Sequence, residues 1–178
     1  MSEDSDWFSN DALFAEELRQ GHAWARHVAS KLRSEGLTVQ QPRLEWRKTI
    51  DDRGRFASEE DLIILLPGGR FLLECKSRNL RFSDDPASYP YPTAFVDTVS
   101  GWDQKQEKPR AVVLVSQQTG NMLAISVRET TQDWTIAKRR DRVRGIPDSW
   151  YEVRKDQIRP FEDLTHYLVS QSTGVLDA

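Results

Sequence analysis

Apolar residues recur at helical spacing in the first part of this chain. The pattern begins near Asn10 or Asp11, either of which suits an N-cap, and stops at Gly36. The apolar stripe consists of Phe14, Leu18, Gly21, Ala25, Val28, Ala29 and Leu32. The spacing predicts a long first helix with one buried face.

The pattern then changes to the shorter period of β-strands. Residues 37–46 predict a first strand, and residues 48–57 form a charged connection with a turn. Two apolar runs follow, and Pro67-Gly68-Gly69 separates them. This arrangement predicts a β-hairpin over residues 59–76.

The predicted hairpin carries ionisable side chains at Asp61, Glu74 and Lys76. Because alternate residues of a strand face opposite sides, Glu74 and Lys76 share one face of the sheet. The other face is predicted to be the core face, and it consists of Phe71, Leu73 and Cys75. Buried strands normally exclude charge, so the charged face is a candidate functional site.

The length of the hairpin turn decides which acid lies opposite Glu74, because a slip of one residue reverses every side chain. A two-residue turn at Pro67-Gly68, or a four-residue loop, puts Asp61 there. A three-residue loop instead puts Glu60 opposite Lys76. Pro-Gly suits turn types I and II better than the primed types of short hairpins, so a bulge also fits. We favour Asp61 and keep Glu60 as the alternative.

Paired carboxylates on this face need a compensating positive charge. Two of them about 4 Å apart repel by roughly 4 kcal/mol at an effective dielectric constant near 20. Lys76 neutralises one charge, and the remaining hard oxygen ligands suit Mg²⁺ or Mn²⁺. The hairpin therefore predicts a divalent metal site.

Asp61, twelve intervening residues and then Glu74-Cys75-Lys76 resemble the signature of the PD-(D/E)xK nuclease superfamily. Glu60 stands where that family usually has proline. The resemblance covers about residues 11–116. It implies an α/β fold in a single domain. The core would have the element order αβββαβ of restriction-endonuclease-like proteins, with a mixed central sheet. It also implies that Asp61, Glu74 and the Cys75 carbonyl hold one or two Mg²⁺ or Mn²⁺ ions, while Lys76 orients or deprotonates the attacking water.

Families of this kind often take a further metal-site glutamate from the first helix. Glu17 lies at the edge of the apolar stripe and is the candidate here, whereas Glu16 lies on the far side. The alternative is that Glu17 is a first-turn glutamate favoured by the helix dipole.

Residues 79–92 predict a long loop in which Tyr89 and Tyr91 either stack on a base or sugar or anchor the loop. A second helix is predicted over residues 93–107, with an apolar stripe at Phe95, Val99 and Trp102. In the family this helix often adds a polar side chain to the site, and Gln104 or Lys105 is the candidate for that role here. Helical counting turns both away from the stripe, so we expect them to be exposed.

Further elements complete the predicted fold. Residues 110–116 predict a strand buried on both faces, and 122–127 another strand. Residues 150–153 predict a short strand, and Pro160 starts a last helix over 161–169.

A basic cluster lies in the C-terminal part of the chain. It consists of Lys138, Arg139, Arg140, Arg142 and Arg144. Such clusters neutralise phosphates, so with a candidate phosphodiesterase site in the same chain we expect contact with DNA. A solvated charged surface is the alternative.

The chain has 178 residues, of which 38% are hydrophobic, enough for one core. We expect one nuclease-like domain over 11–169, with its core over 11–127 and a basic extension over 128–169. The acidic segment 1–10 and the tail 170–178 are expected to be disordered. The net charge of −3 does not argue against DNA binding, because the acids concentrate at the N-terminus and the cations after residue 137.

The single cysteine excludes an internal disulfide, and the acidic start does not resemble a signal peptide. A cytoplasmic, reducing compartment is therefore expected, without membrane insertion. Cys75 is expected to pack in the core rather than to act as a nucleophile.

The sequence thus predicts a Mg²⁺- or Mn²⁺-dependent deoxyribonuclease. Its compact size favours structure-selective cleavage or end processing, as in Holliday junction resolvases, in phage or mobile-element recombination and repair. The alternative is a catalytically inert relative that binds DNA or has a structural role in an assembly. The sequence does not distinguish endonucleolytic from exonucleolytic action. It also leaves open the DNA substrate and whether the protein forms a homodimer or a larger assembly.

Overall fold

The computed structural model of the protein describes residues 4–43, 61–140 and 147–174. Its helices are α1 (Asp4–Ser34), α2 (Val99–Gln104), α3 (Val127–Thr130) and α4 (Phe161–Ser172). Its strands are β1 (Thr38–Gln40), β2 (Leu62–Leu66), β3 (Gly69–Arg78), β4 (Thr93–Thr98), β5 (Ala111–Ser116), β6 (Met122–Ser126), β7 (Thr135–Arg140), β8 (Pro147–Arg154) and β9 (Arg159–Pro160).

A six-stranded sheet in the order β1-β2-β3-β5-β6-β9 forms the centre of the fold. β3 and β5 are parallel, and the other neighbouring strands are antiparallel. β4, β8 and β7 form a second, antiparallel sheet. The predicted α/β class, with one domain and a mixed sheet, is therefore confirmed.

Both faces of the central sheet are covered. One face packs against α1 and α4, through a cluster that includes Val28, Leu32, Phe71, Leu73, Cys75, Val113 and Leu168. The other packs against β4, β8 and α2, through Val96, Trp102, Val112, Leu114, Leu123, Ile125 and Val153. All six residues of β5 are buried, as its continuous apolar sequence predicts.

The hairpin turn has two residues. Leu66 pairs with Gly69 and Leu62 with Leu73, so Pro67-Gly68 forms the turn. Gly69 has φ 132°, a backbone conformation that other residues rarely adopt. Continuing the register by one residue puts Asp61 opposite Glu74, as we favoured. Glu60 lies outside the described residues.

The prediction of one helix over 93–107 is wrong in its first half. Residues 93–98 form β4, which pairs with β8, and α2 comprises only the next six residues. Ala94 and Val96 are buried, and β-branched residues favour a strand here. The expected αβββαβ order thus contains an additional strand before α2.

Other boundaries also differ from the prediction. α1 begins at Asp4, so the helix includes most of the segment expected to be disordered. β1 is shorter than predicted, while β8 and α4 extend beyond their predicted ends. The connection 48–57 and residues 1–3 and 175–178 lie outside the described residues. Among the helices of the described part, none is long and apolar enough to cross a membrane.

Candidate active site

The hairpin brings Asp61 to the central strand β3. Asp61 lies just before β2, and its Oδ2 atom accepts a hydrogen bond of 2.7 Å from the Cys75 backbone N–H. Its carboxylate is therefore held against the same strand that carries Glu74 and Lys76.

Four charged side chains form a closed set of contacts beside Asp61. We call this set the ion-pair ring, and it consists of Glu74, Lys76, Asp97 and Lys105. Lys76 Nζ lies 2.7 Å from Glu74 Oε1 and 3.3 Å from Asp97 Oδ1. Lys105 Nζ lies 3.2 Å from Glu74 Oε2 and 3.5 Å from Asp97 Oδ2. Each carboxylate thus contacts both ammonium groups.

The ring is sheltered from solvent. The exposed fractions of its side chains are 8% for Glu74, 12% for Asp97, 13% for Lys105 and 20% for Lys76. Because charges attract each other more strongly where water is largely excluded, we expect the ion pairs of the ring to be stronger than exposed surface ion pairs.

A bulge in β4 directs Asp97 into the ring. The register between β4 and β8 shifts between Phe95 and Asp97. As a result, the adjacent residues Val96 and Asp97 are both buried, although a regular strand would turn them to opposite faces.

The end of α2 holds Lys105. This residue is the C-cap, and its N–H donates to the Trp102 carbonyl at 3.2 Å. Lys108 Nζ donates to the carbonyls of Trp102, Asp103 and Lys105, and so satisfies groups that a helix end leaves free. The backbone of Lys105 is fixed by these contacts, and its side chain extends to β3.

Asp61 has a strongly perturbed acidity. Burial raises its pKa, and the neighbouring Glu74 carboxylate raises it further. Lys76, the Cys75 N–H and Lys105 offset part of this effect, which leaves the pKa at about 7. The carboxylate charge of Asp61 is therefore the least compensated part of the site.

Asp97 and Lys76, by contrast, have pKa shifts that favour their charged forms. Burial opposes the charge of Asp97, but Lys76 and Lys105 outweigh it and lower the pKa of Asp97. Burial likewise disfavours the charged form of Lys76, but the carboxylates of Glu74, Asp97 and Asp61 raise its pKa. Lys76 is consequently an ammonium ion at neutral pH.

Cys75 has the predicted packing role. Its side chain lies in the cluster under α1, and burial raises the pKa of its thiol well above the ordinary value, as do Asp61 and Glu74. A thiol of this kind is a poor nucleophile. Its carbonyl as a metal ligand stays a prediction.

The predicted metal site is only partly assembled. Asp61 and Glu74 face each other, but the residues described contain no group of three histidine, cysteine, aspartate or glutamate side chains arranged for a metal ion. Glu17 is exposed on α1, which packs against the sheet face opposite the ring. Its participation stays a prediction.

Lys105 and Asp97 change the expected composition of the site. The prediction that Lys105 is solvent-exposed is wrong, because it caps a short helix instead of continuing a long one. Gln104 is exposed, as expected. Asp97 was missed, and the only signal for it was an acid within the β-branched segment from Val96 to Thr98.

The two loop tyrosines differ in exposure. Tyr89 is buried and its ring lies 5.5 Å from that of Phe82, so it anchors the loop. Tyr91 is 53% exposed and its ring lies 6.4 Å from that of Tyr89, and its stacking on a base or sugar stays a prediction.

The basic cluster begins on β7, an edge strand that β8 separates from β4, the strand that carries Asp97. Lys138, Arg139 and Arg140 are exposed there, and Arg142 and Arg144 lie outside the described residues. Arg139 lies over the Phe95 ring at 6.0 Å, so alternation directs Lys138 and Arg140 to the other face. Asp97 on β4 pairs with Tyr151 on β8, and Tyr151 pairs with Ile136 on β7. Ile136 lies two residues before Lys138 on the same strand.

No protein-family model matches the chain, and no curated protein matches it.

Proposed function

We propose that the protein is a divalent-metal-dependent deoxyribonuclease of the PD-(D/E)xK type. The observation that carries the proposal is the hairpin register, which sets Asp61 opposite Glu74. Lys76, two residues further on, contacts Glu74 at 2.7 Å. These are the residues on which the sequence resemblance rests.

The donor atoms of the site suit Mg²⁺ or Mn²⁺. Asp61 and Glu74 supply carboxylate oxygens, which are the hard ligands that both ions prefer. The ring contains two ammonium groups, so once Asp61 is ionised its charge and those of Glu74 and Asp97 leave an excess of one negative charge. Asp61 and Glu74 would hold the ion. When bound, it would stabilise charge on the phosphate and lower the pKa of an attacking water.

Lys76 has a defined role in this proposal. Its ammonium group lies between Glu74 and Asp97 and is fully charged. From there it donates hydrogen bonds to a phosphate oxygen or to the attacking water, and so stabilises negative charge as it develops. Asp97 holds the ammonium group in position.

DNA is the proposed substrate because of the basic residues on β7. Lys138 and Arg140 are exposed on a strand of the same sheet as Asp97, and such cations bind phosphate groups independently of sequence. A cytoplasmic location accompanies the proposal, supported by the lone, buried thiol.

One observation favours a second candidate, an inert DNA-binding or assembly protein. Both oxygens of Glu74 already contact ammonium groups, so an ion must compete with Lys76 and Lys105 for this carboxylate. A protein that had lost metal chemistry would keep such a ring as a structural element.

Cleavage assays on the full chain separate the two candidates. Purified protein is incubated with single-stranded, duplex, flap and four-way-junction DNA in Mg²⁺ or Mn²⁺. We expect metal-dependent cleavage that Asp61→Asn and Lys76→Met abolish, while Lys31→Met on α1 leaves it unchanged. DNA binding without cleavage of any substrate would favour the inert protein. Full activity in both site variants would contradict the assignment.

A further inference from the structure

The carboxylates of the site form two pairs, and these differ in how their charge is compensated. Glu74 and Asp97 are bridged by both ammonium groups, at four contacts between 2.7 and 3.5 Å. Asp61 and Glu74 face each other across the hairpin, and Asp61 Oδ2 accepts a hydrogen bond from the Cys75 N–H. Of these three carboxylates, only that of Asp61 has no ammonium contact among the described residues.

Lys105 cannot leave its position easily. Its ammonium group lies 3.2 Å from Glu74 Oε2 and 3.5 Å from Asp97 Oδ2, and its side chain is only 13% exposed. The ammonium group therefore stays between Glu74 and Asp97 as a fixed positive charge. A divalent cation at the same place would lie within a few ångström of it and be repelled.

Charge balance with the substrate leads to the same result. With Asp61 ionised, the site has one excess negative charge, so one divalent cation and one phosphodiester group together make it neutral. A second divalent cation would leave two uncompensated positive charges in a place sheltered from water.

We infer that Lys105 occupies the place of a second metal ion, so that each chain binds a single divalent cation, between Asp61 and Glu74. The inference rests on the proposed function and specifies its metal stoichiometry. Lys105 is then the residue that sets this stoichiometry, and Asp97 positions it.

Calorimetric titration of the metal-free full chain with Mn²⁺ tests the inference without an activity assay. Wild type is expected to bind one ion. Lys105→Met keeps the length of the side chain but removes its charge, so the first ion should bind roughly tenfold more tightly and a second should bind. Lys105→Arg keeps the charge and should bind one ion. Lys31→Met is the control for loss of an unrelated lysine.

The outcomes distinguish the inference from the proposed function. Two ions on wild type would overturn the role of Lys105 and leave the nuclease proposal intact. No ion at millimolar Mn²⁺ would remove the basis of the nuclease proposal itself. Identical titrations of wild type and folded Lys105→Met would also overturn the inference. If that variant fails to fold, two ions on wild type would still overturn it.

Discussion

Lys105 Nζ lies 3.2 Å from Oε2 of Glu74, although the two residues are 31 positions apart in the chain. The contact joins the end of α2 to the middle of the central sheet. It closes the ion-pair ring, because Lys105 also contacts Asp97 on β4. The ion-pair ring therefore connects the central sheet, the second sheet and the end of α2.

Opening the ring should destabilise the protein. In Lys105→Ala the carboxylates of Glu74 and Asp97 keep only one ammonium partner in a sheltered place, which we expect to cost about 3 kcal/mol of unfolding free energy. Urea denaturation measures it. Lys31→Ala removes an exposed pair with Glu35 and should change stability by less than about 1 kcal/mol. Equal effects of the two variants would contradict a structural role for the ring.

Asp61 should make the stability of the protein depend on pH. Its folded-state pKa of about 7 exceeds the ordinary 3.8, so the folded chain binds this proton more tightly than the unfolded chain. The resulting stability is fully present below about pH 4 and is lost as the pH rises through about 7. Wild type should therefore lose more unfolding free energy between pH 5 and pH 8 than Asp61→Asn does.

Urea denaturation of both proteins at the two pH values provides the comparison. Burial and the neighbouring Arg26 lower the pKa of His22, which changes stability in the opposite direction. That contribution is the same in both proteins and cancels in the difference. A pH dependence that Asp61→Asn leaves unaltered would show that Asp61 is not the responsible group.

The hairpin half of the site could be predicted from the sequence, because its determinants are local. Pro67-Gly68 and the alternation along Phe71, Leu73 and Cys75 fix both the turn and the face on which Glu74 lies. Such features depend on near neighbours in the chain.

The other half depends on distant pairing. Phe95, Val99 and Trp102 have helical spacing, yet residues 93–98 form a strand because β8 pairs with them. That partner lies more than 50 residues further along the chain, and the bulge that directs Asp97 inward arises only in the pairing. Tertiary contacts overrode the local pattern, and the misassigned helix led to the wrong exposure for Lys105.

Gly101 should be intolerant of a side chain. A Cβ atom there would lie 2.7 Å from Oγ1 of Thr98, which accepts the hydrogen bond from the Gly101 N–H that caps α2. We expect Gly101→Ala to cost about 1 kcal/mol through loss of this cap. In a Thr98→Ala background the clash is absent, so the same substitution should cost less.

Thermal unfolding of the single and double variants measures this coupling. Gly21→Ala on α1 is the matched control, because a Cβ atom there meets nothing within 4 Å. It should be neutral or stabilising, since alanine favours a helix over glycine. Additive effects of the Thr98 and Gly101 substitutions would contradict the proposed clash.

Lys138 and Arg140 should contribute to DNA affinity through charge alone. If both neutralise phosphates, Lys138→Gln/Arg140→Gln reduces the slope of log affinity against log salt by about 2, because each phosphate contact of duplex DNA contributes about 0.9. Fluorescence anisotropy of a labelled duplex, in EDTA to prevent cleavage, measures the slope. Arg26→Gln/Lys31→Gln removes two exposed cations of α1 and should leave it unchanged. An equal change in both double variants would mean that DNA responds to net charge rather than to β7.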